Sequence, residues 1–164
     1  NVAGAGFDAE TLNTNSNIKF LSGSLAYTTS VILTLIRYSP RKAKIKIDGK
    51  TYKRKLWLAV VANGQYIGGG MKISPDARID DGLFDICLVS EISRFEIKFL
   101  PKVFSGGHKA HKAFEVFRGK DVKIEFDTPT MAQVDGEIIG FTPVTFSILP
   151  KALKVIRNNF TFAR

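Results

Sequence analysis

The chain has 164 residues, 45% of them hydrophobic, and a formal net charge of +9 at pH 7. This size and apolar fraction suit one globular domain over residues 1–164 with a buried core. A single cysteine, Cys87, excludes an internal disulfide, and no apolar run is long enough to span a bilayer. The positive charge favours anionic partners such as nucleic acid, acidic lipid head groups or nucleotide phosphates.

The first half of the chain predicts one helix and one hairpin. Ser24–Tyr38 carries apolar residues at helical spacing, although its β-branched residues leave a strand over Val31–Ile36 open. Lys44–Ile47 alternates in polarity, Asp48-Gly49 is a hairpin turn signal, and Lys55–Ala62 reads as a buried return strand.

The second half predicts a further helix and many short strands. A strand over Leu83–Val89 precedes helical spacing over Phe95–Phe104, with Pro101 as a bend or boundary and Gly106-Gly107 as the end. From Phe114 onward, short strands alternate with turn residues. The predicted fold class is therefore mainly β, a β-sandwich with about two helices.

The strongest candidate for chemistry is the loop Gly68–Asp85, which combines glycines, a proline and four carboxylates. Such a loop can offer carboxylate and main-chain oxygens to a hard cation such as Mg²⁺. Asp135-Gly136-Glu137 is the natural second contributor. From the residues alone, Asp80-Asp81-Gly82 is better explained as a tight capped turn. Asp135-Gly136 is a hairpin turn signal, which is compatible with a site role for Glu137.

Five segments in order carry a family resemblance. The loop Gly68–Asp85 follows Ala62-Asn63-Gly64, while Asn1–Asp8 opens the chain and Val134–Glu137 comes late in it. Together with Gly107-His108, they resemble the carboxy-terminal domain of the diacylglycerol kinase family, and most closely the bacterial soluble lipid kinases. The Gly-Gly-Asp-Gly-Thr signature of the nucleotide-binding half is absent. The resemblance therefore implies a fragment of a two-domain lipid kinase that continues upstream of Asn1.

The resemblance also implies site roles. Asp81 would bind Mg²⁺ with its carboxylate, together with the main-chain carbonyls of Arg78 and Leu83, and Glu137 would be catalytic with Asp81. The cofactor-binding residues at the interdomain cleft would be Asn63, Gly69 and Gly70. ATP would be a co-substrate bound mainly by the missing half, so the fragment alone is expected to be inactive. The lipid substrate would be diacylglycerol or a related lipid.

Other motifs are weaker. The Gly68–Asp85 loop lacks the glycine position and closing glutamate of an EF-hand, and Gly70-Met71-Lys72 fails the Walker pattern. His108 and His111 have a spacing that suits a metal, but no cysteine or close carboxylate completes a site. We expect them to be surface or capping histidines.

A basic cluster lies on the predicted hairpin, between Arg41 and Lys55. Its plain interpretation is a solvated edge that resists aggregation. A functional interpretation is docking to anionic membrane, which predicts a cytoplasmic protein peripheral to the inner face of the membrane. The alternative function is a non-catalytic basic β-sandwich that binds anionic membrane or nucleic acid. The aromatic residues lie in apolar segments, which argues against nucleic acid. A homodimer stays open.

Overall fold

The computed structural model describes residues 1–18, 23–68, 70–92 and 100–154. The described strands are β1 (Val2–Gly6), β2 (Arg41–Ile47), β3 (Lys50–Ala62), β4 (Phe84–Ser90), β5 (Phe114–Gly119), β6 (Asp121–Phe126), β7 (Met131–Val134), β8 (Glu137–Phe141) and β9 (Val144–Ser147). The described helices are α1 (Phe7–Ser16), α2 (Gly23–Arg37) and α3 (Leu100–Ser105), with a 3₁₀ turn at Gly107–Ala110.

The nine described strands form one antiparallel sheet around the long strand β3. Its path runs β8-β7-β1-β3-β2-β6-β9, and β4 pairs with both β3 and β5. The amino-terminal part of β3 pairs with β2, and its carboxy-terminal part pairs with β1 and β4. The prediction of a mainly β fold is therefore confirmed.

Two apolar clusters lie on the two faces of this sheet. The first joins residues from both ends of the path, such as Ala132 of β7 and Ile124 of β6, with Ile45 and Leu56 between them. Because distant strands share this one cluster, the sheet must curl around it. The second cluster lies on the other face, beneath helices and loops, and contains Tyr38, Trp57, Val60, Ile73 and Val103.

The hairpin β2–β3 and the strand β4 are confirmed at the predicted places. Asp48 adopts a φ of 44° and Gly49 a φ of 89°, the left-handed conformations that a tight hairpin turn requires. Helix α2 confirms the helix predicted over Ser24–Tyr38 and excludes the alternative strand. The second predicted helix falls partly on residues 93–99, which lie outside the described residues. Its described end, α3, is followed by Gly106 at a φ of 78°.

Helix α1 was not predicted. Its sequence is polar and lacks an apolar stripe, so periodicity gives no signal. Thr11 and Thr14 satisfy their hydroxyls within the helix by donating to the carbonyls of Phe7 and Glu10, at 2.8 and 2.9 Å. Packing on α2 holds α1 in place. None of the described helices has the length and apolar content that crossing a bilayer would require.

Candidate functional site

One end of the sheet gathers most of the predicted site. The main-chain N–H of Asp135 donates a hydrogen bond to the Val2 carbonyl at 2.9 Å. Val2 lies opposite Ala62, Ala62 opposite Asp85, and Asp85 opposite Arg118. The turn before β8 and the end of the loop Gly68–Asp85 therefore meet the same end of the sheet, although they are far apart in sequence.

The Asp135-Gly136 turn brings Glu137 to this end. Asp135 has a φ of 48° and Gly136 a φ of 91°, so the predicted hairpin turn is confirmed. The Val2 N–H donates to Asp135 Oδ1 at 2.8 Å, which ties the turn to β1. Glu137 is exposed as the first residue of β8. Its carboxylate is thus presented to solvent from a fixed turn.

A chain of buried hydrogen bonds through Gln133, which we call the buried relay, fixes the other side of this turn. Gln133 is 1% exposed, and its Nε2 donates to Asp8 Oδ2 at 3.0 Å. The Gly136 N–H donates to Gln133 Oε1 at 2.9 Å. Asp8 at the start of α1 is therefore linked through Gln133 to the turn that carries Glu137. Sequence reasoning gave neither residue a role, because this link spans 125 residues; the one available signal was a polar Gln inside an apolar strand.

The Asp8 carboxylate occupies a space that is open only because residue 4 is a glycine. A Cβ on Gly4 would overlap the Asp8 carboxylate, with the Asp8 Cγ only 2.8 Å away. The other carboxylate oxygen, Oδ1, has no hydrogen-bond partner among the described residues. Burial therefore raises the pKa of Asp8 above its usual range, and the Gln133 hydrogen bond offsets this only in part.

This burial predicts a pH-dependent effect of Asp8→Asn. Since the folded pKa lies above the unfolded value of 3.8, the stability that Asp8 contributes is fully present below the unfolded pKa and is lost as pH rises through the folded pKa. Asparagine keeps an acceptor oxygen for Gln133 without a charge. We expect Asp8→Asn to unfold at higher denaturant concentration than the wild type at pH 7, with the advantage disappearing in acid.

Denaturant unfolding measured across pH checks this prediction, with Asp127→Asn, an exposed carboxylate, as the matched control. The control is expected to change stability by less than about 0.5 kcal/mol. A clear loss of stability for Asp8→Asn at pH 7 would show that the ionised carboxylate itself stabilises the fold.

Asp81 caps the last turn of the loop Gly68–Asp85, the candidate metal loop. Its Oδ1 accepts a hydrogen bond from the Leu83 N–H at 3.0 Å, and its Oδ2 forms an ion pair with Arg118. Gly82 permits the turn with a φ of 70°. The capped-turn interpretation of Asp80-Asp81-Gly82 is therefore confirmed, while the metal role of Asp81 stays a prediction.

Asp85 adds a second carboxylate beside this ion pair. It is 2% exposed, its Oδ1 lies 3.9 Å from Arg118 Nε, and its Oδ2 has no hydrogen-bond partner among the described residues. Burial raises its pKa, and the Arg118 charge counteracts this. Sequence reasoning counted Asp85 among the loop carboxylates but gave it no role.

The side chains of this loop could hold a cation only together with main-chain carbonyl oxygens. No group of three or more His, Cys, Asp or Glu in the described ranges is arranged to hold a metal. Asp81 keeps lone pairs beyond those used by Leu83 and Arg118, since an ionised carboxylate has about four acceptor positions. Its oxygens and the carbonyls of Arg78 and Leu83 are hard ligands that suit Mg²⁺. The residues therefore fit a carbonyl-rich site rather than a carboxylate cluster.

Of the predicted cofactor-binding residues, Asn63 lies at this end of the sheet. The N–H of Asn63 donates to the Asn1 carbonyl at 2.9 Å, next to the Val2–Ala62 pair. Gly70 has a φ of 88° in the turn that Ile67 and Met71 close, and Gly69 lies outside the described residues. Four strand spacings separate Glu137 from Asp85, roughly 19 Å on a flat sheet. A bound ligand, rather than a direct contact, would have to connect Glu137 with the metal loop.

The prediction for His108 needs a correction. His108 is buried rather than at the surface, and its Nε2 lies 3.1 Å from the Ile73 carbonyl. It packs against Phe114, and burial lowers its pKa. Apolar packing therefore explains His108, which fixes the 3₁₀ turn against the glycine-rich loop. His111 accepts a hydrogen bond at Nδ1 from the Ala113 N–H, as a capping residue does.

Comparisons with known proteins agree with this architecture. A protein named "Probable lipid kinase YegS-like" from Shewanella frigidimarina is 30% identical over 158 residues, which is 95% of this chain and 51% of that protein. Proteins named diacylglycerol kinase from Mycobacterium tuberculosis and Bacillus subtilis are 29% and 27% identical, over 95% of this chain and 51% and 52% of their own lengths. The chain thus spans about half the length of the curated relatives it matches.

Solved structures share the fold. The crystal structure of a diacylglycerol kinase from Bacillus anthracis str. Sterne matches 92% of this chain and 46% of its own, with a TM-score of 0.58 at 19% identity. A second structure from that organism has a TM-score of 0.65 at 25% identity and is covered to 50%. The family model described as the YegS C-terminal NAD kinase beta sandwich-like domain matches residues 1–157. The chain therefore belongs to this family of carboxy-terminal lipid kinase domains.

Proposed function

We propose that this chain supplies the carboxy-terminal half of the active site of an ATP- and Mg²⁺-dependent lipid kinase that phosphorylates a hydroxyl of diacylglycerol or a related lipid. One observation carries the proposal: the sheet brings Glu137, Asp135 and the Asp81–Arg118–Asp85 group to one end. Relatives named as lipid kinases have about twice the length of this match. The activity therefore belongs to the whole protein, and the chain alone is expected to be inactive.

In this proposal, Glu137 acts on the reacting groups from the Asp135-Gly136 turn. Phosphoryl transfer requires mainly positioning and neutralisation of charge, and a fixed turn provides the positioning. Asp8 and Gln133 hold that turn through the buried hydrogen bonds from Gln133 to Asp8 and from Gly136 to Gln133. Mg²⁺, when bound, would neutralise charge on the ATP phosphates. Asp81 and the carbonyls of Arg78 and Leu83 would hold it, while Asn63, Gly69 and Gly70 would line the cleft toward the nucleotide.

The Mg²⁺ part of the proposal predicts a thermal shift. Added Mg²⁺ is expected to raise the Tm of the wild type, since a ligand that binds the folded state stabilises it by mass action. Asp81→Asn is expected to abolish this shift. Asp80→Asn removes the same charge from the exposed neighbouring residue and is expected to retain it. An equal shift in the wild type and in both variants would remove Asp81 from the metal site.

The proposed activity is tested with the two halves. The isolated chain, mixed with ATP and diacylglycerol, is expected to form no phosphorylated lipid. The same chain joined to a nucleotide-binding half of the lipid kinase type is expected to form it. Phosphorylation of lipid by the isolated chain would overturn the division of labour proposed for the two halves.

A further inference from the structure

Arg118 of β5 lies between two carboxylates of the candidate metal loop. It is directly opposite Asp85 in the pairing of β5 with β4. Its Nη2 forms an ion pair with Asp81 Oδ2, and its Nε lies 3.9 Å from Asp85 Oδ1. A single guanidinium therefore joins strand β5 to the turn that Asp81 caps and to the buried carboxylate of β4.

The two oxygens of Asp81 have different partners. Oδ1 accepts a hydrogen bond from the Leu83 N–H at 3.0 Å, which caps the turn. Oδ2 is the oxygen that is paired with Arg118. Because a cation at Oδ2 would leave the capping bond undisturbed, Oδ2 is the natural ligand for Mg²⁺, and it is the oxygen that Arg118 already holds.

A guanidinium and a metal ion compete for the same oxygen. Asp81 has acceptor positions to spare, but a ligand oxygen lies only about 2.1 Å from a bound Mg²⁺. Arg118 and the metal would then be neighbours on one carboxylate, and their positive charges repel each other. Binding of Mg²⁺ to Asp81 is therefore opposed for as long as Arg118 stays there.

Asp85 offers Arg118 a second position. Asp85 is 2% exposed, and its Oδ2 has no hydrogen-bond partner within the described part of the chain. Its Oδ1 lies at 3.9 Å from Arg118 Nε, which is too long for a hydrogen bond. A buried carboxylate oxygen without a partner is costly, so a closer approach of the guanidinium would stabilise it. Arg118 can therefore leave Asp81 and remain paired with a carboxylate.

We propose that Arg118 sets the Mg²⁺ affinity of the candidate metal loop: it holds Asp81 as an internal counter-ion and moves to Asp85 when the metal binds. This inference rests on the proposed function, from which it takes the metal site at Asp81. The guanidinium and the metal hold the turn alternately, so the loop keeps a cation beside Asp81 at any Mg²⁺ concentration. The cost of moving Arg118 raises the Mg²⁺ concentration that the site requires.

The test is thermal unfolding of the full-length protein across a Mg²⁺ titration, without ATP or lipid. The Arg118 side chain is 49% exposed, and an exposed ion pair changes an equilibrium constant by up to about fivefold. We therefore expect Arg118→Gln to reach half of its rise in Tm at about fivefold lower Mg²⁺ than the wild type. Without Mg²⁺ its Tm is expected to be lower than that of the wild type, because Asp81 and Asp85 lose the cation between them. Saturating Mg²⁺ is expected to remove most of this difference.

Three further variants serve as controls. Lys42→Gln removes the same charge at a distance, since Lys42 lies opposite Lys55, about 23 Å along β3 from the residue opposite Asp85. It is expected to leave the Mg²⁺ affinity unchanged. Arg118→Lys keeps the positive charge and is expected to stay within about twofold of the wild type. Asp81→Asn is expected to abolish the Mg²⁺ response, with or without Arg118→Gln.

Asp85→Asn tests the second position of Arg118. In the wild type it removes the carboxylate that receives the guanidinium, so Mg²⁺ affinity is expected to fall. In Arg118→Gln there is no guanidinium to receive, and the same substitution is expected to have a smaller effect. The difference between the two backgrounds measures the coupling of Asp85 to Arg118. An equal effect in both would mean that Asp85 acts on the metal through its charge alone, and would overturn the movement of Arg118.

The remaining outcomes separate this inference from the proposed function. Equal Mg²⁺ affinity of the wild type and Arg118→Gln would overturn the inference and leave the metal at Asp81 in place. Weaker affinity in Arg118→Gln would overturn it too, because Arg118 would then support the metal site. A Mg²⁺ response in neither protein would overturn the inference together with the metal part of the proposed function. Because no phosphoryl transfer is measured, failure of the kinase activity alone would leave these readouts intact.

Discussion

Replacing Glu137 by glutamine in the full-length kinase is expected to lower kcat by about 10²–10⁴-fold, the usual range for loss of a general acid–base group. The substitution keeps the shape of the side chain and removes its charge and basicity. Glu137 is exposed at the start of β8, so stability should change by less than about 0.5 kcal/mol. Steady-state kinetics with ATP and diacylglycerol, and thermal unfolding of the same preparation, measure the two effects.

Asp127→Asn is the matched control for Glu137→Gln, because it removes an exposed carboxylate that has no place in the proposed site. Its kcat is expected to equal that of the wild type. If Glu137→Gln also kept wild-type kcat, the Asp135-Gly136 turn would be a structural hairpin alone, and the catalytic role would have to lie elsewhere.

Gly4→Ala is expected to destabilise the fold by about 1–3 kcal/mol, the cost of forcing an extra methyl into a packed interior. The added Cβ would overlap the Asp8 carboxylate. Asp8 would have to move away from Gln133, and Gln133 would lose the partner that orients it toward Gly136. We therefore expect a lower midpoint of denaturant unfolding together with a lower kcat in the full-length enzyme.

Gly68→Ala provides the contrast, because a Cβ at Gly68 would meet nothing within 4 Å. Its unfolding midpoint is expected to match the wild type. Equal stability of Gly4→Ala and Gly68→Ala would mean that Asp8 can shift at no cost, and that the buried relay does not position the turn.

The elements that sequence predicts well are those fixed by local chemistry. Asp48-Gly49 specifies a turn through its backbone conformation, and the flanking strands alternate in polarity, so the hairpin β2–β3 follows from a few neighbouring residues. Asp135-Gly136 is predicted for the same reason. Helix α1 has no such local signal, because its hydroxyl groups bond to its own carbonyls and to α2 rather than forming an apolar stripe.

The residues of the candidate site also differ in how well the sequence predicts them. Asp81 could be selected from its glycine-rich loop, and the structure confirms the turn that it caps. The relay Asp8–Gln133–Gly136 could not be predicted, since it depends on β1, β7 and α1 meeting in the folded sheet. The exposure of Leu25, Ile32 and Ile36 on α2 also escaped prediction, because periodicity identifies an apolar face without showing whether that face is buried.

If this chain forms half of a lipid kinase active site, the full-length protein that carries it transfers the γ-phosphate of ATP to a lipid. The decisive measurement is transfer from labelled ATP to diacylglycerol by that full-length protein, with and without Mg²⁺. The proposal predicts Mg²⁺-dependent formation of phosphatidic acid that Glu137→Gln slows by about 10²–10⁴-fold. Absence of any labelled lipid across diacylglycerol, sphingoid base, ceramide and polyprenol substrates, from a folded protein that binds ATP, would contradict it.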